Sequence, residues 1–190
     1  MDIAMLKEEF YQCIVEALKK FSVDENNTDV YVMAFDCDSS VGMISLRYRN
    51  RQQFNSELNT YEDYNKKYGW KIYGLQGSEY DPGEFEFINY QKTALVKHFL
   101  DSYYYHAVGE YYGEGTPIKE IKNNYKTIFW DMIVDTIQRL KEEMKSLGIH
   151  TTEKFIMFHC DHDQSYEEVE KMMRMTVESD ILQSLREESK

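Results

Sequence analysis

From Ile3, apolar residues recur at steps of three and four through Leu6, Phe10, Cys13, Ile14, Ala17, Leu18 and Phe21. That spacing puts one buried stripe on a helix of about 3.6 residues per turn. Lys7, Glu8, Glu16 and Lys20 fall on the wetted side, and the polar stretch 22–28 ends the element. The run VYVMAF (residues 30–35) is rich in β-branched and aromatic side chains; DCDSS interrupts it and VGMISLRYR (41–49) resumes, so the pair predicts a β-hairpin. In its second strand Ile44, Leu46 and Tyr48 alternate with Ser45, Arg47 and Arg49. The first set is assigned to the core and the second to solvent or a partner.

Residues 51–68 are polar, with Phe54, Leu58, Tyr61 and Tyr64 at near-helical steps, and Gly69 breaks them before WKIYGL (70–75), read as a third strand. GSEYDPG (77–83) carries Asp-Pro and Gly loop signals, with Phe85, Phe87 and Ile88 placed to dock it onto the body. Leu95, Phe99, Leu100, Tyr103 and Ala107 restore helical spacing until Gly109, Gly113 and Gly115. Thr116 as N-cap with Pro117 opens the longest stripe, which runs from Ile118 to Leu147 and stops at Gly148. FIMFHC (155–160), apolar on both faces, reads as a central strand, and Ser165 with Glu168 forms a capping box that opens a final Met-rich helix. This order predicts a single α+β domain over residues 1–190, a mainly antiparallel sheet packed with several helices.

Composition agrees with a folded domain: 190 residues, 42% apolar, 15% aromatic, and only two prolines. Cys13, Cys37 and Cys160 are odd in number and far apart, which argues against a disulfide framework or a four-ligand zinc site and for a reducing compartment. No secretory leader pattern and no apolar run of roughly 20 residues is found. A cytoplasmic monomer or weak dimer is therefore expected. The net charge of -12 repels phosphate backbones and anionic lipid, so neither nucleic acid nor a membrane is expected as a partner. The acids are clustered: residues 24–38 and 161–170 each hold five and no Lys or Arg, and residues 78–115 hold seven against Lys92 and Lys97. Such patches would steer a basic protein.

Two acidic strand ends carry the candidate chemistry: Asp36-Cys37-Asp38 and His159-Cys160-Asp161-His162-Asp163. On neighbouring strands of one direction they would converge. Asp36, Asp38, His159, Asp161, His162 and Asp163 would then suit zinc, manganese or iron and a metal-activated water, as in a metal-dependent hydrolase. The other reading makes Asp36, Asp38, Asp161 and Asp163 part of a partner-binding face, together with Tyr104 and Tyr105 from the run Tyr103-Tyr104-Tyr105-His106. Cys160 and His162 stand two residues apart, too far along a strand for a thiolate pair, among acids that would raise the thiol pKa. No Gly-x-Gly-x-x-Gly, Walker, Gly-x-Ser-x-Gly or His-Glu-x-x-His motif is present, and no cofactor is implied.

The amphipathic first helix, VYVMAFDCD, VGMISLRYR, the Tyr68-Gly69-Trp70-Lys71-Ile72-Tyr73 segment and FIMFHCDHD together resemble the small bacterial domain-of-unknown-function family 4303. Small acidic single-domain proteins of this kind resemble immunity proteins that neutralise secreted toxins. By that analogy the chain is expected to be a non-enzymatic binding module that blocks a basic toxin.

Overall fold

The run at residues 30–35 extends to Asp38 as strand β1 (Val30–Asp38) in a computed structural model of the chain. The structure describes residues 3–39, 43–88, 119–162 and 164–188, of which 119–125 by their backbone alone. β1 pairs antiparallel with β2 (Met43–Asn50), completing the expected hairpin, and β2 pairs antiparallel with the short β3 (Glu86–Ile88). On its other side β1 pairs in parallel with β4 (Thr151–Asp161). The order β3-β2-β1-β4 makes a mixed sheet in a single α+β domain, two ladders antiparallel and one parallel. FIMFHC is covered on both faces as expected, yet among the described strands β4 lies at the edge and β1 inside. Burial on two faces comes from helices and says nothing about hydrogen-bonded neighbours, which is why the apolar run suggested a central place.

α1 (Ile3–Phe21) and α3 (Lys119–Glu143) cover one face of the sheet. Leu6, Phe10, Ile14 and Leu18 of α1 are fully buried there, each worth roughly 1.5–3 kcal/mol of transfer free energy. They meet Phe129, Met132, Ile133 and Ile137 of α3 and Met33, Phe35, Leu46 and Met157 of the sheet. Trp130 packs, partly buried, against the same cluster. α3 gives way to a turn that ends at Gly148 (φ 78°). The Asn27 amide donates to Gly148 O and accepts from His150 N–H, at 2.8 and 3.0 Å, and so joins the helix exit to the start of β4. The expected helix over Leu95 to Ala107 and the Thr116–Pro117 start of the long helix lie outside the described residues.

The opposite face is covered by α2 (Arg51–Tyr68), α4 (Tyr166–Met173), α5 (Ser179–Glu188) and the loop between α2 and β3. α2 begins in a full capping box: Gln53 N–H donates to Asn50 Oδ1 at 2.8 Å and Asn50 N–H to Gln53 Oε1 at 3.0 Å. Gly69 ends it in the left-handed region, as its position before the next segment implied. At α4 the Ser165 N–H and hydroxyl both donate to Glu168. The final helix is two helices. Residues 174–178 turn, the Lys141 ammonium takes the Thr176 carbonyl at 2.8 Å, and Met173, Leu182 and Leu185 thereby all reach one cluster.

WKIYGL is not a strand. Ser78 and Glu79 N–H donate to the carbonyls of Lys71 and Ile72, at 3.1 and 2.9 Å, so the segment folds back on residues 78 and 79 and these carbonyls are paired without a sheet neighbour. Gly77 allows this closure, since a Cβ there would stand 2.5 Å from the Ile72 backbone. Trp70 and Tyr73 are left exposed.

Candidate functional site

The parallel pairing of β1 and β4 brings the two acidic strand ends to one edge of the sheet. Asp36 sits opposite Cys160 and Cys37 opposite Asp161. Carboxyl ends of parallel strands are where open sheets commonly form ligand crevices. Here a cavity of about 410 Å³ opens, walled chiefly by Asp36, Arg47, Asp81, Cys160, Asp161 and His162.

Each wall residue is held by its element. Asp36 is buried and ion-paired to Arg47, Nη2 to Oδ2 at 2.9 Å. Strand alternation assigns Arg47 to solvent or a partner; it is nearly covered instead, donating to Pro82 O at 3.2 Å with its guanidinium 4.1 Å from the Phe87 ring centre. In the hairpin register Ala34 faces Arg47 and Asp36 faces Ser45, so Asp36 and Arg47 are diagonal neighbours on one face. An opposite-charge diagonal was a readable signal for this pair. Asp161 accepts Ser39 N–H at 2.7 Å and also the Ser39 hydroxyl, and the His162 N–H donates to Cys37 O at 2.5 Å. The backbone bond extends the pairing one residue past β4, and the side-chain bonds tie Ser39 to Asp161, so together they fix the exit of both strands. The His162 ring stands half-exposed with Nδ1 3.7 Å from Asp36 Oδ1. Asp81 comes from the loop before β3, where its carboxylate caps Gly83 N–H at 2.9 Å.

Strand alternation divides the proposed ligand set. His159 points to the α1–α3 face, fully buried with its ring 5.4 Å from Trp130. Neither ring nitrogen has a hydrogen-bond partner among the described residues, and burial pushes its pKa down to about 4. It cannot join Asp36 and His162 on the other side of the sheet. Asp38 lies half-buried at the end of β1 and is not a wall of the cavity. Asp163, Tyr104 and Tyr105 lie outside the described residues. Among those described, no three His, Cys, Asp or Glu side chains gather as metal ligands would.

Nucleophilic chemistry finds no support here. Burial, and then the charge of Asp36, raise the Cys160 thiol far above neutrality; burial does the same for Cys37. Both, like Cys13, are buried thiols outside any disulfide. What the arrangement offers is charge recognition: three carboxylates against one guanidinium and an imidazole.

Sequence reasoning also missed Arg49, the largest fully buried side chain in the described residues. Its guanidinium donates to Ser78 O at 2.7 Å and reaches Glu57 and Tyr61, with the Phe54 and Tyr61 ring centres 5.3 and 5.2 Å away. Beside it Arg51 lies 3.9 Å from the Tyr31 ring centre and pairs with Glu79, itself buried. This polar layer ties α2 and the residue 70–85 loop to the sheet and so sets the position of Asp81.

The fold and site define a class: a mixed-sheet α+β domain with an acidic crevice at its parallel strand ends. Compared with protein-family models, curated proteins and solved structures, the chain matches none. Among the described residues no helix is long and apolar enough to cross a membrane.

Proposed function

We propose that this chain is an acidic protein-binding module, of the kind that immunity proteins represent, which blocks a basic partner such as a toxin. In this reading it acts in the cytoplasm as a monomer or weak dimer, and the crevice at the ends of β1 and β4 faces the partner. One observation carries the reading: a cavity of about 410 Å³ presents Asp36, Asp81 and Asp161 against the single guanidinium of Arg47, in a chain with 34 acids and 22 bases. A cation entering it exchanges water for carboxylates in a partly desolvated notch, where charge pairing is stronger than on open surface. Asp36 and Asp161 also hold the strand ends, so they shape the crevice as well as charging it. The separation of His159 from the other donors removes support from the metal reading.

The test is kinetic. The partner is captured, identified and purified, and its association rate measured from about 50 to 500 mM salt. The expected result is a rate that falls about tenfold or more and falls again in Asp81→Asn. A partner without a basic surface, or a rate indifferent to salt, overturns the reading.

A further inference from the structure

The chain has six arginines, at positions 47, 49, 51, 139, 174 and 186, and all of them pair with a carboxylate of the same chain. Four also lie over an aromatic ring: Arg47 on Phe87, Arg49 on Phe54 and Tyr61, Arg51 on Tyr31, and Arg139 on Tyr11 at 3.4 Å. Ring face plus carboxylate is thus how this protein repeatedly seats a guanidinium, and the physics is general: the ring quadrupole attracts the flat cation while the carboxylate takes its N–H fork.

One further set of the same parts stands on the surface. Beside the crevice, a cavity of about 270 Å³ is lined by Trp70, Tyr166, Asp81, Glu84, Lys71 and Gln76, among others. Trp70 and Tyr166 are about half-exposed. Trp70 is braced by Tyr68 and Tyr64, ring centres at 5.3 and 5.5 Å, and its carbonyl accepts the Asn65 amide at 2.6 Å. Asp81 and Glu84 have no ion pair among the described residues; Asp81 is met by the Tyr166 hydroxyl at 3.4 Å and Glu84 by the Tyr61 hydroxyl at 3.0 Å. The local cation, Lys71, is turned to Gln76 Oε1 at 3.0 Å. Burial, and then the charge of Asp81, raise the Tyr166 pKa, in keeping with a negative field in the notch.

The geometry points to this notch as a receptor for the guanidinium of an arginine side chain on a partner protein, stacked on Trp70 and Tyr166 and hydrogen-bonded to Asp81 and Glu84. No arginine of this chain remains to fill it. Asp81 belongs to both cavities, so the notch and the crevice form one continuous acidic surface. The inference rests on the proposed binding role for the source of the cation, while the notch itself can be read without the partner.

The test uses the full chain with its two tryptophans labelled with nitrogen-15, the indole signals being assigned by Trp70→Phe. N-acetyl-arginine methylamide is the probe. It should move the Trp70 indole signal saturably and leave that of Trp130 in place. The neutral isostere N-acetyl-citrulline methylamide should bind at least roughly fivefold more weakly, as should the arginine probe in Glu84→Gln and in Tyr166→Ala, with the thermal midpoint of each variant confirming that it folds. No saturable movement, equal response to the citrulline probe, or unchanged affinity in both folded variants overturns the assignment. Free arginine or agmatine binding about tenfold tighter than the blocked probe marks a small-molecule site and overturns the partner side chain as its source. Salt-steered binding of a basic partner with Trp70 unmoved by the probe overturns the notch alone.

Discussion

The two faces of the sheet are made from alternate residues of the same strands, and they are held by different physics. Toward α1 and α3 the strands present Met33, Phe35, Ile44, Leu46 and Met157, an apolar layer with one polar intruder, His159. Toward α2, α4 and α5 they present Tyr31, Ala34 and Phe158 together with Asp36, Arg47 and Arg49. The first layer is stabilised by volume and tolerates exchange of one hydrocarbon for another. The second depends on partners, because a buried charge is tolerable only while its pair and hydrogen bonds are present. The candidate site opens at the end of the second layer. There the pairing runs out at Asp81 and Glu84, and recognition of an outside cation becomes possible.

The largest expected effect breaks the apolar side. Phe35 is fully buried, 6.0 Å from the Phe10 ring, so Phe35→Ala should cost about 3–5 kcal/mol in denaturant unfolding and Phe35→Leu about 1. A cost graded by volume is the signature of that face. On the other face Arg49→Met, of similar bulk, should still cost about 3 kcal/mol, the low end for a broken buried pair because Glu57 is half-exposed and can be rehydrated. Arg49→Lys should recover less than half of that, since an ammonium cannot serve Ser78 O, Glu57 and Tyr61 together. A near-neutral Arg49→Met would erase the contrast between the faces.

The intruder sharpens the comparison through pH. His159 has a folded pKa of about 4 against the ordinary 6.5, so between these values the unfolded chain binds a proton that the folded chain refuses. Stability from this group is complete above about pH 6.5, is lost as pH falls toward 4, and is flat below. The full difference is up to about 3 kcal/mol. His159→Phe should remove this part of the slope in unfolding curves taken from pH 7 to 4; an unchanged slope would mean that other groups set it.

Much of this was readable in the sequence, because it depends on local chemistry. The stripe of α1, the hairpin alternation and the stops at Gly69 and Gly148 follow from periodicity and from what glycine alone permits. The Ser165–Glu168 cap was visible for the same reason. What escaped depends on distant partners. WKIYGL has strand-like side chains, but its Lys71 and Ile72 carbonyls are taken by the N–H groups of residues 78 and 79, which no hydropathy pattern encodes. Arg47 and Arg49 alternate as exposed residues would; their burial required aromatic rings from α2 and β3, carbonyls from the loop, and the carboxylates of Asp36 on β1 and Glu57 on α2. The convergence of the two acidic strand ends followed from their both ending apolar strands, given parallel neighbours, whereas Asp81, Trp70 and Tyr166 reach the site only through the tertiary fold.

The smallest stability effect isolates function from fold. Asn can cap Gly83 as Asp81 does, so Asp81→Asn should change unfolding free energy by less than about 0.5 kcal/mol while slowing association with a basic partner. A folding defect there would make Asp81 a structural residue instead.

The most direct measurement compares the two faces in one spectrum, through the two tryptophans that report on them. Trp70 stands at the acidic notch and Trp130 packs against the apolar core. With the purified basic partner added to nitrogen-15-labelled protein, the Trp70 indole and the backbone signals of Asp81, Cys160 and His162 should shift or broaden, while those of Trp130 and α1 hold still. A partner that perturbs the α1–α3 side and leaves Trp70 and Asp81 unmoved would contradict the account.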